Sequence, residues 1–257
     1  MIEKLKAWWK FDAQAEQESA DNPLTPLTNE QRRDALPLLT MAFGWGFLIT
    51  GLMVGGALGA GVNFWPDLIY VSFLGNTANF VIGALVGYIG YKTACNSGLL
   101  YKFVYGQIGA YFPVLFLAVV LICWQGIVVG AFGFAWAQDF DSFTFYAVAV
   151  FAGILFTWTT YYGVRGLELV STPSVIILVL VGVYAAYTQI SQAGGLQDFL
   201  ALSATTAARN PISKMDAINI VIGSWIVGAI VMPEYTRFAK KAWVAIAIPF
   251  IVMIIAQ

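Results

Sequence analysis

The sequence predicts an all-α integral membrane protein, and three observations carry that prediction. The 257 residues are 60% hydrophobic and only 11% charged, whereas a soluble domain carries about 25% charged residues. The apolar residues fall in long uncharged runs, of the ~20-residue length that one bilayer crossing needs. Lysine and arginine gather in alternate connections between those runs, as the positive-inside rule requires. The aromatic content of 16%, with nine Trp, suits a protein with two water–lipid interfaces to anchor.

Taken in order, residues 1–35 read as a soluble cytoplasmic tail with no apolar core of the signal-peptide kind. Within it, Ile2, Leu5, Trp8, Trp9 and Phe11 beside Lys4, Lys6 and Lys10 form either a short interfacial helix or a mobile tail. Residues 36–257 form the transmembrane domain. Uncharged runs cover 36–66, 68–91, 103–138, 143–164 and 169–197, and a sixth covers 217–233. A seventh begins at Ala242 and is still apolar at Gln257. The expectation is six spans and the start of another, so that the chain is a fragment or a truncated product.

Placing the N-terminus inside puts eleven Lys and Arg on the inner side: Lys4, Lys6, Lys10, Arg32, Arg33, Lys92, Lys102, Arg165, Arg237, Lys240 and Lys241. Only Arg209 and Lys214 fall outside. The expected location is the cell (inner) membrane, multi-pass, with a cytoplasmic N-terminus.

Several classes are disfavoured. The net charge of −1 comes without a basic patch, so nucleic acid is not an expected partner. There is no histidine, and Cys95 and Cys123 suggest neither a disulfide framework nor a transition-metal site. An enzyme is not expected, nor a cofactor: no P-loop or HExxH pattern occurs, and Ser224 has no histidine to serve as its base. The spans also lack the rings of charge that would suggest a channel.

Two runs are interrupted. The first contains FGWGFLITGLMVGGALGAG, with glycines at 44, 46, 51, 55, 56, 59 and 61, and the sixth contains Gly223, Gly228 and Pro233 before Glu234 and Arg237. Small residues serve close helix packing in lipid. Interruptions at matching positions of two halves point instead to an inverted-repeat transporter, whose unwound helices expose backbone groups to substrate and cation. No Lys, Arg, Asp or Glu lies within the first, third, fourth or fifth span. Trp124 in the third span and Ser224–Trp225 in the sixth therefore suit a flat, neutral, hydrogen-bonding molecule.

Three stretches together carry a family resemblance: GGALGAG at 55–61, LGN followed by GYIGYKTACNSGLL between 74 and 100, and IGSW…PEYTRF in the sixth span. The chain resembles the nucleobase–cation symporter family of cytosine, purine, allantoin and hydantoin transporters, its bacterial cytosine permeases most of all, over residues 36–257. The resemblance implies a five-plus-five inverted-repeat fold with helices one and six broken, here truncated in helix seven. It implies uptake of a small heterocycle driven by Na⁺ or H⁺. Ser224 and Trp225 match the serine–aromatic pair of helix six, Trp124 the tryptophan of helix three, and Leu48 an aromatic beside the substrate in helix one. The backbone carbonyls of Gly44 and Phe47 match the helix-one half of a Na⁺ site.

The chain departs from the family pattern in places. Leu121 stands where cytosine permeases place a glutamine, with Gln125 about 100° further round the helix. Leu48 replaces the helix-one aromatic, and PEYTRF replaces PDFTRF. Glu234 and Arg237 are either a boundary i,i+3 pair or part of a gate. The helix-eight half of the ion site is missing. Two alternatives remain: a same-fold transporter of amino acids, and a truncated, non-transporting fragment of such a permease. With no titratable group in the first five spans, sodium is the favoured ion.

Overall fold

The computed structural model describes residues 24–161 and 163–257. The tail residues Ile2, Leu5, Trp8, Trp9 and Phe11, with Lys4, Lys6 and Lys10, lie outside the described residues. The described residues are helical, apart from connections and one isolated bridge between Arg33 and Ala239. Among them, five helices are long and apolar enough to cross a membrane, and one bent pair makes a sixth.

That bent pair is the first span. Helix α1 (Ala35–Gly46) stops and α2 (Ile49–Gly59) restarts at an angle of 42°. Phe47 (φ −84°, ψ 73°) and Leu48 (φ −104°, ψ 153°) leave the helical region between them. Glycines at 44 and 46 weaken the helix just before this point. The break retains local hydrogen bonds, from Leu48 N–H to Gly46 at 3.0 Å and from Gly51 N–H to Leu48 at 3.0 Å. Gly46 packs so tightly that an added Cβ would lie 2.7 Å from the Val252 carbonyl oxygen.

The second span runs Phe64–Thr93, its main part being α3 (Ile69–Thr93), and ends at Ala94 in the left-handed region (φ 56°). Asn96 then caps α4 (Ser97–Gly109), its side chain accepting from Leu99 N–H at 2.8 Å. The uncharged run 103–138, expected as one span, is divided. Gly106 (φ 73°) breaks its first part, and the crossing is made by α5 (Tyr111–Ala137). Those 27 residues reach about 40 Å, enough for a bilayer without the preceding helix. Apolar length alone cannot separate a short preceding helix from the span that follows it.

Helix α6 (Phe143–Tyr161) packs against α5, and α7 (Gly163–Gln192) packs against α1. Glycines 194 and 195, at φ 98° and 123°, then turn the chain into α8 (Leu196–Arg209). This helix lies between the fifth and sixth apolar runs and is too short and polar to cross. It docks on the start of the second span: Phe199 meets Phe64 edge-on at 5.3 Å, and Ser203 Oγ accepts from Phe64 N–H at 2.8 Å.

The sixth span comprises α9 (Lys214–Ile230) and the short α10 (Pro233–Thr236). Helical geometry is interrupted at Val231 (φ −92°, ψ 8°), and proline occupies the first position of α10, where its missing N–H costs no hydrogen bond. Finally α11 (Ala242–Phe250) continues into a π-helical turn, Ile251–Ile255.

The main core lies where α1, the sixth span and α11 meet, and α3 packs closely along the sixth span. Cβ atoms added at Gly75 and Gly90 would fall 2.7 Å from Val221 and from Pro233, so the close approach needs glycine. Thr236 Oγ1 donates to the Gly87 carbonyl at 2.7 Å. Fully buried Asn79 donates to the carbonyls of Val221 (3.4 Å) and Ile222 (3.3 Å). At one end of the bundle, Arg32 donates to the Tyr91 and Ala239 carbonyls, both at 2.9 Å. At that end too, Arg33 N–H donates to Phe238 at 2.7 Å and Lys240 pairs with Asp34 at 2.7 Å. Lys214 pairs with Asp67 at 2.7 Å, at the start of α9.

Candidate functional site

One cavity of about 70 Å³ is enclosed by α1, the first-span break, α5 and α9, and Leu48, Trp124, Ser224 and Trp225 all line it. Trp45, Val120, Leu121, Val227, Gly228 and Val231 complete the wall.

Each wall follows from its helix. On α9, residues 224, 225 and 228 recur at helical spacing and so share one face, and Val231 follows just past its end. Trp225 is 4% exposed. Its ring fits because position 228 is glycine: an added Cβ there would lie 2.5 Å from Cε3 of Trp225. Gly228→Ala is therefore expected to displace that ring and destabilise the protein by about 1–3 kcal/mol. Near-ultraviolet circular dichroism and a melting curve in detergent would measure both effects. An unchanged aromatic spectrum would show that the ring is not held this way.

On α5, Leu121 and Trp124 face the cavity, whereas Gln125 is exposed and does not line it. The position that holds glutamine in the family pattern thus presents an aliphatic wall here. Ser224 Oγ donates to the Val221 carbonyl at 2.7 Å, which leaves its oxygen lone pairs as acceptors toward the cavity. None of the lining residues is ionisable. Polar recognition therefore falls to one hydroxyl, the indole N–H groups and backbone at the break, between large aromatic faces.

Trp45 was not singled out by the sequence reading. It sits in the last turn of α1, meets Trp225 edge-on at 5.6 Å and stacks on Tyr235 at 4.2 Å. Its one sequence signal is its place in FGWG, between two glycines just before the break. Gly44 lies in that same last turn and Phe47 in the break. The last carbonyls of a helix have no intrahelical donor, so both positions can offer oxygen to a hard cation. The Phe47 ring packs on α7, where a Cβ at Gly182 would lie 3.2 Å from it.

Glu234 and Arg237 lie outside this cavity. The Glu234 carboxylate accepts from Ser97 N–H at 3.0 Å, and the Arg237 guanidinium lies 4.8 Å from the centre of the Phe238 ring.

No protein-family model matches the chain. Cytosine permeases of Escherichia coli strains K12 and O157:H7 are each 27% identical to it over 235 residues, which is 91% of this chain and 55% of theirs. The chain thus spans about half the length of these relatives. A solved structure of Mhp1, described as a nucleobase-cation-symport-1 family transporter in a closed conformation with bromovinylhydantoin bound, superposes with a TM-score of 0.72 at 15% identity. That match covers 91% of this chain and 58% of Mhp1. The likeness read from the motifs therefore stands: over most of its length the chain is similar in sequence to cytosine permeases and shares the fold of Mhp1.

Proposed function

We propose that the chain forms the substrate-binding part of a secondary active transporter, a cation symporter for cytosine or a related nucleobase-like heterocycle. Other pyrimidines, purines, allantoin and hydantoins belong to the same chemical class. The observation that carries this reading is the central cavity: indole faces of Trp124 and Trp225, one hydroxyl at Ser224, and no ionisable lining. Stacking on an aromatic face is worth about 1–3 kcal/mol for a nucleobase, and a neutral heterocycle needs no counter-charge. Leu48 and Leu121 would supply apolar edges. Carbonyls of Gly44 and Phe47 would supply part of a Na⁺ site, and the absence of Asp, Glu, Lys and Arg from the first five uncharged runs favours Na⁺ over H⁺.

The same reading places the protein in the cell (inner) membrane with the N-terminus cytoplasmic. The eleven-to-two distribution of Lys and Arg supports that orientation. So does the gathering of Arg32, Arg33 and Lys240 at one end of the bundle. A five-plus-five repeat, with the first and sixth spans as its broken helices, would put both interruptions beside the bound heterocycle.

Tryptophan fluorescence of the chain in nanodiscs tests the reading. Cytosine should quench it saturably, and more at equal concentration in Na⁺ than in choline. If cytosine, uracil and hydantoin all leave the emission unchanged while a free amino acid quenches it, the heterocycle assignment fails.

A further inference from the structure

Thr50 Oγ1, Asn76 Oδ1, Asn79 Oδ1 and Gln257 Oε1 are buried oxygens with no hydrogen-bond partner among the described residues. The side chains that carry them are well enclosed: Thr50, Asn76 and Asn79 are 5%, 7% and 0% exposed. An acceptor shut away from water without a donor is costly.

Contacts along the bundle bring these oxygens to one level. Helix α3 lies between α9 and α11: Gly75 packs on Val221, Gly83 on Pro249 and Ala229, and Phe80 meets Phe250 edge-on at 5.6 Å. Asn79 sits between these contacts and spends its Nδ2 on the Val221 and Ile222 carbonyls. Asn76 is one turn from Phe80 and two from Gly83, and so shares the side of α3 that faces α11. On α2, Val54 packs on the buried cluster that contains Val71 of α3 and Val221 of α9. Thr50 precedes Val54 by one turn and shares its face. The next residue, Gly51, faces Gln257, just past the π-helical turn: a Cβ there would lie 3.0 Å from Nε2 and 3.4 Å from Oε1.

The chemistry of the set is one-sided. All four atoms are acceptors, and turning the Asn79 amide over would set its oxygen against two carbonyls. A water has two protons to donate, too few for four oxygens, whereas neutral oxygens of this kind can replace the hydration shell of a monovalent ion. No carboxylate belongs to the set, which suits one positive charge rather than two. Oxygen ligands without sulfur or imidazole select a hard ion.

We propose that Thr50, Asn76, Asn79 and Gln257 form a binding site for a hard monovalent cation, Na⁺ or K⁺, at the start of α2. It is distinct from the carbonyls of Gly44 and Phe47, which belong to the end of α1 and the break. The site goes beyond the function proposed above, and no substrate is needed to test it.

Melting of the full chain in detergent is compared in NaCl, KCl and choline chloride at equal ionic strength. At least one alkali salt should raise the melting temperature over choline. The rise should be about 2–4 °C at a concentration roughly five times the dissociation constant. Thr50→Val keeps the shape and removes the oxygen, so it should abolish the rise. In choline it should melt at or above the parent temperature, because a buried unpaired hydroxyl is gone. Thr50→Ser keeps the oxygen and should keep the rise. Asn76→Ala, on a different helix, should also lose it, and serves if the valine variant fails to insert.

A parent that melts alike in all three salts overturns the site, as does a rise that survives either Thr50→Val or Asn76→Ala. A surviving rise would place the cation elsewhere, the Gly44 and Phe47 carbonyls included. A serine variant that behaves like valine would mark a packing role and overturn it too. Failure of cytosine to quench the fluorescence would remove the proposed function and leave a Thr50-dependent rise standing. Quenching by cytosine without that rise would do the reverse.

Discussion

Trp225→Ala is expected to weaken cytosine binding by about 5- to 150-fold, the range that loss of one base–aromatic stack produces. The ring is 4% exposed, lines the central cavity and is braced edge-on by Trp45. Its removal takes away the stacking face and also frees Trp45 to move. Trp136→Ala supplies the control, since Trp136 is 70% exposed and does not line the cavity. Equilibrium binding of radiolabelled cytosine to both variants in nanodiscs would read the difference. Equal affinities for the two would remove Trp225 from the site.

The largest effect on stability is expected from Gly90→Val. A Cβ at this position would lie 2.7 Å from Cα of Pro233 and 2.8 Å from its Cβ. Backbone cannot swing aside as a side-chain tip can, so α3 and α10 would have to separate. Overpacking of this kind costs about 1–3 kcal/mol, occasionally more. The nearby hydrogen bond from Thr236 to Gly87 would be lost as well. A clear fall in melting temperature in detergent is the expected reading. Gly55→Ala is the contrast: nothing lies within 4 Å of its added Cβ, and alanine favours helix by about 1 kcal/mol. Gly55→Ala should melt at or above the parent temperature. If both variants melt alike, the α3–α10 contact does not govern stability.

These two glycines show what a sequence can and cannot say about such residues. The first span drew attention through its density of glycine, with packing as the simplest explanation. Yet added Cβ atoms at Gly55, Gly56 and Gly59 meet nothing, while those at Gly75 and Gly90 on α3 meet Val221 and Pro233. A glycine's purpose depends on what stands opposite, and the opposing residue is more than 140 positions away in the chain. Likewise, adjacent residues do not disclose that Trp45 of α1 bridges Trp225 and Tyr235.

The sequence by itself determined the membrane class, the apolar runs and the glycine-rich character of the first, and its family motifs point to Leu48, Trp124, Ser224 and Trp225. All of these depend on local properties: apolar length, glycine content and short motifs whose spacing a helix turns into a face. Only the tertiary structure decided that run 103–138 divides into α4 and α5, and that 196–209 forms a docked helix. It also decided that Trp45 joins the wall of the cavity. These outcomes depend on which helix faces meet across the bundle, and the free energy of those meetings comes from partners that are far apart along the chain.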